Sequence, residues 1–107
     1  MASLDDRKKG FESKYKNDAE LAFKITARRN HLLGAWLAGE MGLSGDKAES
    51  LAKAMVRSDL DEPGDEDVIR FAMAQIAESK LEISAYLLRR KLEQFQEEAK
   101  SQIIGEG

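Results

Sequence analysis

The chain has 107 residues, a length that suits one domain with a buried core and is too short for two. Its 17 Lys and Arg against 20 Asp and Glu give a formal net charge of -3, which argues against nonspecific nucleic-acid binding as its main task. Cysteine is absent, which excludes disulfides, thiolate metal sites and cysteine catalysis. Charges appear at Asp5, too early for a signal peptide, and no apolar run approaches membrane-spanning length. We therefore expect a soluble, intracellular protein that does not insert into a membrane and whose main task is not nucleic-acid binding.

Residues 1–17 are rich in charge and poor in large apolar side chains, so they cannot bury much surface. Ser3 followed by Asp6 resembles a capping box, and apolar residues recur at steps of four: Phe11, Tyr15, Ala19 and Phe23. Gly10 opposes a helix by about 1 kcal/mol relative to alanine, and an isolated helix of this length is marginal in water. The pattern predicts a flexible amino-terminal arm, residues 1–19, which is disordered or a marginal helix when free and becomes helical on a partner. An ordinary floppy terminus is the alternative.

Two amphipathic stretches follow the arm. In residues 21–41 the apolar side chains recur at steps of three, four and seven, which is the period of a helix with one buried face. The break at residues 42–46 ends this helix, and Ser44 or Asp46 can cap the next one. The second helix is predicted to reach about residue 60, with its own apolar stripe.

The second half of the chain begins with an acidic stretch, residues 59–67, which turns at Pro63 and Gly64 and whose later acids suit the start of a helix. A third helix is predicted from about residue 67 to 79. Ser84 is placed to cap a fourth helix, which we expect Gly105 to end.

Strand signals are missing from the sequence. Four helices with short connections predict an all-α protein, a four-helix bundle with a flexible amino-terminal arm, in which residues 20–107 form the helical bundle domain.

Most kinds of chemical site can be ruled out from the residues. His31 is the single histidine, and without cysteine or a nearby carboxylate pair it cannot assemble a typical transition-metal site, so we interpret it as a helix-surface residue. A calcium loop starting at Asp59 fails because Pro63 occupies a ligand position and Arg70 stands where the closing glutamate is needed. The glycines before Lys47 resemble a phosphate-binding loop only loosely, since no strand precedes them. We therefore predict no metal, no cofactor and no enzymatic activity.

A basic turn, Arg28 and Arg29 followed by Asn30, has two interpretations. Arginine pairs suit carboxylate-rich partner surfaces or phosphates through planar hydrogen bonds. The other interpretation is a solvated face or internal ion pairs with the acidic stretch.

Two short motifs carry a family resemblance. They consist of Asp5, Asp6, Arg7, Phe11 and Glu12, and of Ala27, Arg28, Arg29, Asn30, His31, Leu32, Leu33 and Gly34. Later groups agree in order and spacing: Gly42, Leu43, Ser44 and Gly45; Val56, Arg57, Ser58 and Asp59; Gly64, Asp65, Glu66, Asp67 and Val68; and Leu88, Arg89, Arg90 and Lys91. Across nearly its whole length the sequence resembles the zeta-subunit family of F-type ATP synthase inhibitors of alphaproteobacteria.

The resemblance implies a four-helix protein whose amino-terminal segment inserts into a catalytic interface of the enzyme's soluble head and blocks ATP hydrolysis and reverse rotation. The implied partners are the alpha, beta and gamma subunits of that head, so the protein would be cytoplasmic and peripheral to the inner membrane. Residues 1–19 would be the inhibitory segment, with Phe11 and Tyr15 as apolar anchors. The predicted partner-binding residues are Leu4, Arg7, Lys8, Lys9, Phe11, Glu12, Lys14, Tyr15, Arg28 and Arg29.

Three departures from the family pattern lie in the inserting segment. Leu4 stands where a larger aromatic residue is expected, and Tyr15 replaces a phenylalanine. Gly10 stands where alanine is usual and matters most, because it lowers the helix tendency of the segment. One alternative is therefore a structural or assembly factor of the same complex with weak or vestigial inhibition. Another is a helical sensor that binds adenine nucleotide weakly in a basic pocket near Arg28 and Arg29 or near Arg89 and Arg90.

Overall fold

Four α-helices make up the protein. The computed structural model describes the backbone of residues 4–59 and 64–106 and the side chains of residues 19–59 and 64–105. The helices are α1 Leu4–Glu40, α2 Gly45–Ser58, α3 Glu66–Glu78 and α4 Ala85–Glu106. Helix α1 packs against the other three, most extensively against α2 and α4. The predicted all-α, four-helix fold is confirmed, and the described residues contain no strand.

Helix α1 is longer than the 21–41 helix that the sequence predicts. It begins at Leu4 and continues through residues 19–21 without a break, so arm and bundle share one helix. The physical reason is that a packed helix extends at little cost once it is nucleated, and Gly10 alone opposes extension by only about 1 kcal/mol. The side chains of residues 1–18 lie outside the described residues, and the flexibility of the arm in the free protein stays a prediction.

The helix ends largely follow the sequence. Gly42 adopts a positive φ of 76° after α1, and the Leu43 amide donates to the Ala38 carbonyl at 2.8 Å, a turn that glycine makes without strain. Ser44 occupies the N-cap position of α2, although its side chain makes no capping hydrogen bond. The cap predicted for α4 is confirmed, because the Leu87 amide donates to the Ser84 hydroxyl oxygen at 3.1 Å.

Two predicted helix ends are wrong by one or two residues. Helix α2 stops at Ser58 rather than near residue 60, and α4 continues through Gly105 to Glu106. Glycine costs a helix only about 1 kcal/mol when its φ stays negative, so Gly105 does not have to end α4.

One continuous core lies between the helices. Its fully buried members include side chains from all four helices: Leu33, Leu37, Met55, Val68, Ala72 and Leu88. Helices α1 and α2 approach closely where Gly34 faces Ala52, and a Cβ at Gly34 would lie 2.6 Å from the Ala52 Cα. No helix in the described part of the chain is long and apolar enough to span a membrane.

Candidate functional site: the arm and its attachment to the bundle

Eight of the ten predicted partner-binding residues fall on the first three turns of α1. They are Leu4, Arg7, Lys8, Lys9, Phe11, Glu12, Lys14 and Tyr15. Their side chains lie outside the described residues, so their role stays a prediction. The helical backbone nevertheless puts residues four apart, such as Phe11 and Tyr15, on the same side of α1.

Helix α1 leaves the bundle between residues 19 and 25. Five of the six residues 19–24 are exposed, with Phe23 58% exposed, whereas Ile25 is 8% exposed. Phe23 ends the series of apolar residues at steps of four that runs through the arm, and it is the one member of that series with a described large side chain. An apolar stripe of α1 therefore continues past the end of the packed core.

Arg29 and Asn30 lie inside the bundle, one turn after this exit point. The Arg29 side chain is 7% exposed, and its Nη1 atom lies 3.0 Å from the Asp65 carboxylate. Its Nε donates to the Asn30 Oδ1 at 3.0 Å, and Nη1 lies 3.4 Å from the Gln96 amide oxygen. Asn30 in turn donates from Nδ2 to the Asp59 carboxylate at 3.1 Å. These five side chains, Arg29, Asn30, Asp59, Asp65 and Gln96, form what we call the Arg29 cluster.

The Arg29 cluster bears on the two interpretations of the basic turn. Asp59 and Asp65 belong to the acidic stretch of residues 59–67, so Arg29 makes the internal ion pairs that were one alternative. The Arg29 side chain is 7% exposed, and its predicted contact with a partner stays a prediction. The sequence named the acidic stretch as a possible internal partner of Arg29 but did not single out Asp59 and Asp65, and it missed Gln96, because the pairing depends on how the helices pack.

Arg28 and His31 face the surface on either side of the Arg29 cluster. Arg28 donates from Nη1 to the Gln102 amide oxygen of α4 at 2.9 Å, and its predicted contact with a partner stays a prediction. His31 lies 3.1 Å from the Glu49 carboxylate of α2, with both side chains substantially exposed. The interpretation of His31 as a helix-surface residue is confirmed.

The pKa of the Asp59 carboxyl group departs from its ordinary value. Burial raises the pKa of the Asp59 carboxyl above its ordinary value, and the neighbouring charges of Asp65 and Asp67 act in the same direction. The hydrogen bond from Asn30 and the charge of Arg29 lower this pKa but do not offset the burial. Consistent with this, the Asp59 Oδ1 atom is buried without a hydrogen-bond partner among the described residues.

The raised pKa of Asp59 predicts an unusual pH dependence of stability. The folded state holds the Asp59 proton more tightly than the unfolded chain does, so this group stabilises the fold increasingly as the pH falls through its folded-state pKa. Asp59→Asn removes the titration. We expect the free energy of unfolding of the natural chain, measured by urea denaturation relative to Asp59→Asn, to rise from neutral to acidic pH. A difference that is constant or falls on acidification would contradict this assignment.

A cavity of about 280 Å³ opens beside the Arg29 cluster, between α1, α3 and α4. It is lined by Arg29, Asp65, Ile69, Arg89, Leu92, Glu93 and Gln96. The two arginines are balanced by the carboxylates of Asp65 and Glu93, and Arg89 also lies 3.2 Å from Glu66. The cavity thus carries no excess positive charge to attract a phosphate. Among the described residues, no group of three or more His, Asp and Glu could hold a metal ion.

Comparisons with known proteins agree with the fold and identify the family. A family model described as ATPase inhibitor subunit zeta matches residues 1–102. A protein whose structure was solved by NMR in solution is 36% identical and superposes with a TM-score of 0.70, covering 79% of this chain and 96% of that chain. No curated protein matches. Because the family model covers almost the whole sequence, from the arm to the last helix, the chain belongs to the ATPase inhibitor subunit zeta family.

Proposed function

We propose that this protein inhibits ATP hydrolysis by the F-type ATP synthase by inserting the amino-terminal part of α1 into a catalytic interface of the soluble head. The family to which the chain belongs is one of ATPase inhibitors, which supports an inhibitory rather than a catalytic role. The partners in this proposal are the alpha, beta and gamma subunits of the head. The protein would act in the cytoplasm, held at the inner membrane through the enzyme.

The observation that carries the proposal is the continuity of α1. Residues 25–40 of this helix pack in the bundle, while the exposed turn at residues 19–24 leads away to the arm. Nucleating a helix is the costly step, and here the packed half of α1 already provides the nucleus. The arm can therefore extend as a helix into a narrow site at a cost of propagation only.

The contacts expected in that site follow from the composition of the arm. Phe11 and Tyr15 would bury their rings in the partner, because rings give a large contact area for little loss of side-chain freedom. Arg7, Lys8, Lys9 and Lys14 would pair with carboxylates around the site, which favours fast encounter as well as orientation. Gly10 lies among these contacts and weakens the helix, so inhibition is expected to be weaker than with alanine there.

The proposal predicts that the two aromatic residues of the arm are binding hot spots. Phe11→Ala and Tyr15→Ala should each weaken binding by about 2 kcal/mol, which corresponds to a roughly 30-fold higher half-inhibitory concentration in an ATP hydrolysis assay. Tyr86→Ala is a matched control, since Tyr86 is an aromatic residue of the bundle that is 73% exposed. It should leave inhibition unchanged. Undiminished inhibition by both arm variants would show that these rings are not the anchors.

Weak binding of adenine nucleotide stays the second candidate function. The cavity beside Arg29 and Arg89 is where the sequence suggested a basic pocket, and its balanced charge gives this candidate little support. Backbone amide spectra recorded with and without ADP separate the two functions, because an inhibitory plug needs no nucleotide of its own. Shifts confined to the residues that line this cavity would favour the sensor.

An assembly factor of the same complex is the remaining candidate. Such a factor would bind the same enzyme without using the arm. If the protein has this function, removal of residues 1–19 should have no effect on the enzyme. No described feature favours it over the inhibitor.

A further inference from the structure

The Arg29 cluster joins every helix of the bundle at one turn of α1. Arg29 and Asn30 belong to α1, Asp59 follows the last residue of α2, Asp65 precedes the first residue of α3, and Gln96 lies on α4. The distances within the cluster run from 3.0 to 3.7 Å. No other set of described side-chain hydrogen bonds connects all four elements. The cluster lies next to the place where α1 leaves the bundle.

Polar contacts of this kind constrain α1 in a way that apolar contacts do not. Burial of Leu33 and Leu37 favours contact with the core but is not directional, so it tolerates small rotations and shifts of the helix. The guanidinium group of Arg29 is planar and offers its donors in fixed directions. Among the described residues the Arg29 Nη2 and Asp59 Oδ1 atoms are already buried without a hydrogen-bond partner. A rotation of α1 would break the remaining hydrogen bonds of the cluster and add to these unpartnered atoms, at a cost that an apolar contact does not impose.

Because α1 is long, a small tilt of the helix at the Arg29 cluster displaces the far end of the arm by a large distance. Leu4 precedes Arg29 by 25 residues, which is about 37 Å along a helix. A tilt of about 10° at Arg29 would displace the far end of such a helix by about 6 Å. That displacement exceeds the width of a contact between two side chains. The direction of the arm therefore depends on how strongly the contacts of the Arg29 cluster restrict the tilt of α1.

We infer that Arg29, Asn30, Asp59 and Asp65 are positioning residues for inhibition, which fix the direction of the arm relative to the bundle. The inference rests on the proposed function and assigns these residues no contact with the enzyme. A held arm reaches its site in one orientation, so less conformational freedom is lost on binding and the inhibitor binds more tightly. In this inference the role of the buried Arg29 is to orient α1 rather than to stabilise the fold. A buried ion pair contributes little net stability, because desolvation of its charges offsets their attraction.

The first variant for the test is Arg29→Lys, which keeps the positive charge and removes the planar set of donors. We expect it to raise the half-inhibitory concentration against ATP hydrolysis by the cognate enzyme by about tenfold. The control is Ile76→Val, a change in the core of α3 that makes no polar contact with the cluster, assayed at a temperature where both variants are fully folded by circular dichroism. It should change the half-inhibitory concentration by less than about twofold. Equal weakening by the control would overturn the inference, because it would mean that general destabilisation is responsible.

A second readout measures the direction of the arm itself. The chain has no cysteine, so spin labels can be attached to Ala19→Cys and Lys80→Cys, two exposed positions, one on α1 next to the arm and one in the connection between α3 and α4. The distribution of distances between the labels should broaden in Arg29→Lys and keep its width in Ile76→Val. An unchanged width in Arg29→Lys would overturn the inference even if inhibition were weaker.

Two further results keep the inference separate from the proposed function. If Arg29→Lys does not fold, Asp65→Asn serves instead, since Asp65 is half exposed and the substitution removes the charge that forms the 3.0 Å ion pair with Arg29. It should broaden the same distribution. If the natural chain does not inhibit the enzyme, the proposed function fails, and the distance distributions still decide whether the cluster holds the arm.

Discussion

Gly34→Ala is expected to destabilise the bundle by about 2 kcal/mol. Helices α1 and α2 approach closely at Gly34, and a Cβ there would lie 2.6 Å from the Ala52 Cα and 3.2 Å from the Ala52 nitrogen. Both atoms belong to the backbone of a buried residue, so the clash cannot be relieved by rotating a side chain. Overpacking of this kind costs up to about 3 kcal/mol, and the better helix propensity of alanine returns about 1 kcal/mol.

Gly39→Ala is the matched control for this prediction. Gly39 lies on the same helix, five residues further on, and a Cβ there would meet nothing within 4 Å. The substitution should therefore stabilise the protein by roughly 0.5–1 kcal/mol through helix propensity alone. Urea denaturation of the two variants measures both effects on one scale. If Gly34→Ala were as stable as Gly39→Ala, the close approach of α1 and α2 at this point would be wrong.

The helices and their caps could be predicted from the sequence because they depend on local patterns. The stripe in residues 21–41 and the cap at Ser84 each arise from residues within one or two turns of each other, and both are present in the structure. The start of α1 could not be placed in the same way. Propensity alone makes the arm marginal, whereas attachment to a packed helix changes the cost of continuing it.

The Arg29 cluster shows what the sequence left open. From the sequence, Arg29 could contact a partner or form an internal ion pair with the acidic stretch, and its actual neighbours depend on how α1 packs against the ends of α2 and α3. The acidic stretch indicated Asp59, 30 residues away, only as one of several acids, and Gln96, 67 residues away, carries no local sign of its role. The resemblance to the zeta family, by contrast, could be recognised from the sequence, because it rests on the order of short motifs.

Removal of residues 1–19 is expected to abolish inhibition while leaving the bundle intact. Among the described side chains of α1 the first buried core residue is Ile25, so the shortened chain keeps every described core contact. The helix would begin near residue 20 and fray by about one turn, which circular dichroism and thermal unfolding would detect as a small change. The loss of function should therefore not come from unfolding.

The most direct measurement is ATP hydrolysis by the soluble head of the cognate enzyme, titrated with the full-length protein and with the form lacking residues 1–19. We predict that the full-length protein inhibits hydrolysis and that the shortened form does not, although it remains folded. Equal inhibition by the two forms would contradict the role of the arm. No inhibition by either form, with a stable complex still formed, would contradict the inhibitory function itself.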